Sequence, residues 1–102
     1  MVNRSRDWDE GLARDLQDPV FAREFVLAAC EEGIPLQEVL RKVVRLYGVK
    51  EFAQQVGIPS SNVLRALHPS HNPTQETLDR LLAPFGLQLS VRPVPVTKKR
   101  AA

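Results

Sequence analysis

Residues 49–68 read VKEFAQQVGIPSSNVLRALH, and the spacing within this stretch decides the fold. Ala53 is a small residue in the middle of a first short helix, where a second helix must approach closely. Gly57 follows four residues later, where the chain must turn. Such a turn uses a positive φ, which glycine adopts without steric cost. Ile58 and Pro59 come next, and then Val63, Ala66 and Leu67 at i, i+3 and i+4 give a second helical stretch a single buried stripe. The pattern predicts a helix-turn-helix whose second helix exposes Ser60, Ser61, Leu64, Arg65 and His68, the arrangement in which a helix lies in a DNA groove.

Outward from this stretch, glycines mark element ends. Gly33, Gly48, Gly57 and Gly86 each follow an apolar helical pattern. Asp7 with Glu10 resembles a capping box and predicts a short helix from Trp8 to about Leu16. Asp18 before Pro19 predicts a helix running to about Glu32. A third begins near Pro35, where Leu36, Val39, Leu40, Val43, Val44 and Tyr47 form a wide stripe for the helix-turn-helix to bury. After the polar loop PSHNP, Thr74 is the expected cap of a helix carrying Leu78, Leu81, Leu82 and Phe85. From Leu87 to Val91 the period changes to the alternation LQLSV, the strand signature, before Pro93 and Pro95 interrupt it. A lone strand needs a partner, and the economical one is its symmetry mate in a homodimer, held through Leu87, Leu89 and Val91 and matched to a two-fold DNA site. The alternative is an extended arm folded back on the helical core.

At 102 residues the chain fits one domain with a modest core. The expected fold class is mainly α. Three segments are expected: an acidic helical stretch over 1–33, the helix-turn-helix domain with its strand over 34–92, and a basic disordered tail over 93–102. Residues 1–33 hold four basic and eight acidic residues, a net −4, whereas residues 34–102 hold ten and four, a net +6. The motif therefore lies in the half suited to a polyanion, and the first third would be repelled by DNA. Cys30 is the only cysteine, so there is no internal disulfide, and its helical surroundings FVLAACEEG read as a small buried apolar residue. No apolar run reaches a membrane span and MVNRSRDWDE lacks a signal-peptide core, so a cytoplasmic location is expected. His68 and His71 are separated by Pro69 and lack a third ligand, and neither a phosphate loop nor a nucleophile constellation is present. Neither a metal, a cofactor nor catalysis is expected.

Base readout is assigned by position on the second helix. Ser60 and Ser61 can donate or accept in the major groove, and Arg65 one turn later offers a planar fork to guanine O6 and N7. Leu64 can meet a thymine methyl, and Asn62 at the side can reach a base edge or a phosphate. Ser60 competes as the helix cap. Lys50, His68, Ser70, His71, Asn72 and Thr74 are expected at the DNA backbone, whereas Arg41, Lys42 and Arg45 read as solvated surface.

The stretches YGVKEFAQQVGIPSSNVLRAL and NPTQETLDRLLAPFGLQL, with the opening RDWDEGLARDLQDPVFAREFVLAACEEG, resemble the addiction-module antidote family, the HigA-like antitoxins of bacteria with a phage Cro-repressor type of helix-turn-helix. The resemblance covers about nine-tenths of the chain. It implies a λ-repressor-like domain of five to six helices, with an N-terminal helical extension and one C-terminal strand. It implies an antitoxin that neutralises a basic RelE/HigB-like toxin and represses its own operon from operator DNA. The acidic first third then gains a partner of complementary charge, with Trp8, Leu12, Asp15, Leu16, Phe21 and Phe25 as contacts, or more plainly as packing. The segment is patterned for helices, so it would occlude the toxin with a preformed surface. The competing reading is a stand-alone transcriptional regulator without a toxin.

Overall fold

Asp18 and Thr74 begin helices as their sequence context predicts. Asp18 is extended (φ −86°, ψ 117°), its carboxylate accepts from the Val20 N–H at 2.9 Å, and Pro19 takes the first helical position. Thr74 accepts from the Thr77 N–H at 3.1 Å. The computed structural model describes residues 2–91 and 93, with side chains from residue 9 onward. Within these lie α1 (Val2–Asp15), α2 (Pro19–Glu31), α3 (Leu36–Tyr47), α4 (Val49–Val56), α5 (Ser60–Ala66) and α6 (Gln75–Leu82), followed by a 3-10 turn over Ala83–Phe85.

The central element is α3, which packs against α1, α2 and α4. Its stripe Val39, Leu40, Val43 and Val44 is fully buried, as the 3.6-residue period requires. Leu12 from α1 and Leu16 just beyond it, Ala22 and Val26 from α2, Phe52 and Ala53 from α4, Val63 and Leu67, and Leu81, Leu82 and Phe85 complete the core. The Phe52 ring stacks on Phe85 with centroids 5.9 Å apart and meets Tyr47 edge-on at 5.8 Å, so one aromatic joins α3, α4 and the 3-10 turn. All four glycines expected at element ends have positive φ. Gly48, at φ 116° and ψ 110°, lets α4 start one residue after α3 stops.

Several expectations are corrected. The first helix begins at Val2, so Asp7 lies inside it and not at its start; an Asp and a Glu three apart read the same in a helix interior as in a capping box. Cys30 is exposed and not buried; α2 carries apolar residues on both its inner and outer sides, so its composition alone does not set which side Cys30 takes. The strand over Leu87–Val91 does not form within the single chain. Leu87 and Leu89 instead fold back on the core, and the Asp79 carboxylate accepts the Leu89 N–H at 2.8 Å, taking a donor that a neighbouring strand would use. Val91 points away and is 98% exposed. Most of the basic tail, and the Trp8 side chain, lie outside the described residues.

Candidate nucleic-acid interface

The pair α4 and α5 is joined by residues 57–59. Gly57 adopts the left-handed conformation (φ 72°, ψ 31°), its N–H and that of Ile58 both return to the Ala53 carbonyl (2.9 and 3.2 Å), and Ala53 is buried where the two helices meet. Pro59 then opens α5, its carbonyl accepting from Asn62 and Val63 at 2.9 and 3.0 Å. Ser60 is thus the first helical residue, and no side-chain hydrogen bond caps α5. The expected competition between capping and readout at Ser60 is removed, although Ser60 itself is only half exposed.

Helix α5 buries Val63 and Ala66, with Leu67 just beyond, and exposes Ser61, Asn62, Leu64 and Arg65. The four exposed side chains supply a hydroxyl, an amide, an apolar branch and a guanidinium on adjacent positions of two turns, a set that can match the mixed donors, acceptors and methyl groups of a major groove. Leu64 is 41% exposed, more than a residue shielding the helix pair needs to be.

Among the expected backbone contacts, Lys50 is exposed on the first turn of α4. Glu51 folds its carboxylate back against Gly48, however, so this helix end already carries a negative group beside its free N–H donors. Beyond α5, His68, Ser70, His71, Asn72 and Thr74 are all exposed. The Ser70 N–H donates to His68 Nδ1 at 3.1 Å, and the Ser70 hydroxyl lies 2.8 Å from the same nitrogen. In the neutral ring this leaves the proton on Nε2. Thr74 is held by its own helix, bonded to both the N–H and the hydroxyl of Thr77. Asn62 and Arg65 face His71, Asn72, Thr74 and Arg80 across a groove of about 400 Å³ between α5 and α6.

Two residues that fix this geometry carry no local signal in the sequence. The Gln37 amide, on α3, donates to the carbonyls of Ala66 (2.9 Å), His68 (3.2 Å) and His71 (3.0 Å), pinning the end of α5 and its loop to the core. Arg80, on α6, donates from Nη2 to Val56 and Gly57 at 3.1 and 3.2 Å. Both act across more than twenty residues of sequence, where periodicity is silent.

The remaining candidates are dispersed. Leu12 and Leu16 are core residues, 8% and 1% exposed, because α1 and the turn that follows it pack their apolar side against the core, so neither offers a surface contact. Asp15 is exposed, Phe21 is 38% exposed, and Phe25 is half-buried against the core. Lys42 and Arg45 are exposed and Arg41 is half-buried, and the three line a separate groove of about 420 Å³ in which Lys42 lies 4.0 Å from Asp9. No group of three or more His, Cys, Asp or Glu among the described residues could hold a metal, and no described helix is long and apolar enough to cross a membrane. Comparison with family models, curated proteins and solved structures finds no match to this chain.

Proposed function

We propose that this protein is a DNA-binding antitoxin that reads an operator through the exposed face of α5, represses its own operon, and neutralises a small basic RelE/HigB-like toxin. The observation that carries the DNA-binding part is the placement of Ser61, Asn62, Leu64 and Arg65 side by side on a short helix, with the turn before it tied to α6 and the loop after it tied to α3. Arg65 takes the guanine-reading role, with Ser60, Ser61, Asn62 and Leu64 around it, and Lys50, His68, Ser70, His71 and Asn72 contact phosphates. The order of α3 to α6 supports a λ-repressor-like domain, and the net positive charge of residues 34–102 supports a polyanionic partner. A homodimer would place two copies of α5 in successive major grooves.

The toxin partnership draws on the family resemblance and on the acidic first third, whose charge suits a basic protein. One observation favours a second reading, a stand-alone regulator: Leu12 and Leu16 are spent in the core, so α1 helps to complete the domain. The experiment that separates the two is co-expression with the product of any neighbouring reading frame that encodes a small basic protein. Co-purification and rescue of growth support the antitoxin; a protein that binds DNA upstream of its own gene but captures no such product is a regulator alone.

A further inference from the structure

We infer that the outward face of α2 is a docking surface for a cationic amphipathic helix of another protein. This rests on the proposed antitoxin role and assigns the surface by which that role is exercised. Helix α2, PVFAREFVLAACE, buries Ala22 and Val26 yet leaves Val20, Phe21 and Leu27 exposed at 56%, 38% and 43%. These are three of the six large apolar side chains exposed among the described residues. A surface helix normally shows polar residues to water, and one that is apolar on both sides is built to be covered on both.

The pattern on that face specifies what covers it. Val20 and Leu27, Phe21 and Ala28, and Glu24 and Glu31 are three pairs each seven residues apart, and all six residues are exposed. At about 100° per residue they form parallel rows, with the two glutamates along the middle and an apolar row on either side. Asp18 and Glu32 add negative charge at the two ends. Arg23, the one basic residue of the helix, sits at the inner edge of the face, 3.9 Å from Glu24. A second copy of the same face would set glutamates against glutamates, which disfavours self-pairing. The complementary occupant is a helix that presents lysine or arginine at seven-residue spacing between apolar residues.

The test uses the full chain and two helical peptides, one built of leucines with two lysines seven residues apart and its match with glutamates in their place. Amide chemical shifts are followed during titration. The lysine peptide should perturb residues 18–32 and bind less tightly at high salt, and the glutamate peptide should not bind. The double variant Glu24→Lys/Glu31→Lys should reverse that preference. Leu27→Asp, at an exposed position, should lose about tenfold in affinity for the lysine peptide, equivalent to ~1.4 kcal/mol, with thermal stability and DNA binding unchanged. Perturbation elsewhere, equal binding of both peptides, a preference that charge reversal does not move, or self-association of the chain abolished by Leu27→Asp overturns the proposal. Capture of the neighbouring product equally by wild type and by both variants refutes the docking face and leaves the antitoxin reading standing. Peptide binding as expected with no such product refutes the antitoxin reading and leaves the face.

Discussion

The guanidinium of Arg80 donates to the carbonyl oxygen of Gly57 at 3.2 Å and to that of Val56 at 3.1 Å, so a single side chain of α6 closes the C-terminal end of α4 at the turn that aims α5. A cation at this end also meets the negative pole of the helix. Arg80→Ala should therefore lower stability by about 1–2 kcal/mol, and Arg80→Lys should recover only part of it, since the shorter, more strongly hydrated ammonium does not place a donor where the planar guanidinium holds Nη2 against both carbonyls. Chemical denaturation measures this, and an unchanged midpoint in Arg80→Ala would mean that the clamp contributes nothing.

Gln37 does the same for the far end of α5, with one amide serving three carbonyl oxygens. Replacing it by glutamate puts an acceptor where only donors are useful. Gln37→Glu should destabilise by about 1–3 kcal/mol and by more than Gln37→Ala, which leaves room for water. The reverse order in thermal melts would show that the amide is not the bonding group.

Two glycines should respond in opposite directions to the same substitution. Gly57 is left-handed at φ 72°, and the nearest atom to an added Cβ is Arg80 Nη2 at 3.5 Å, so Gly57→Ala carries a conformational cost of about 1–2 kcal/mol without a clash. Gly11 lies inside α1 with nothing within 4 Å of an added Cβ, and Gly11→Ala should stabilise by about 0.5–1 kcal/mol. Melting temperatures that move the same way for both would contradict this assignment of backbone conformation.

Cys30 is exposed on α2, yet desolvation by its surroundings raises the thiol pKa above its ordinary value. The folded thiol therefore ionises at higher pH than the unfolded one, and the unfolded chain loses its proton first. Stability should fall slightly as pH rises through that window. The pH profile of iodoacetamide labelling should lie to the alkaline side of the denatured chain's profile; coincident profiles would refute the shift.

The parts legible in the sequence are those governed by local chemistry. Asp18 before Pro19, Thr74 before α6, the stripe Val39, Leu40, Val43 and Val44, and the glycine stops each depend on a few neighbouring residues, and each stands where the pattern put it. What the pattern missed depends on phase or on distance. Cys30 could not be placed on a helix with apolar residues on both its inner and outer sides, Asp7 and Glu10 imitate a cap from within a helix, and Leu12 and Leu16 turn inward because the core offers them an apolar face. The alternation LQLSV records only that Leu87 and Leu89 share a side; Asp79, ten residues before Leu89, settles what that side meets. In the candidate interface the exposed residues of α5 were readable from its stripe, whereas Gln37 and Arg80 were not.

Arg65, on the exposed face of α5, is proposed to read a base. Binding of wild type and Arg65→Ala to a DNA site selected from a random pool, and to every single-base variant of that site, tests it most directly. Arg65→Ala should lose about 1–3 kcal/mol on the selected site and relax preference at one base pair while the others keep theirs. An equal loss on every sequence would place Arg65 on the phosphate backbone, and a wild-type chain that selects no site at all would contradict the claim outright.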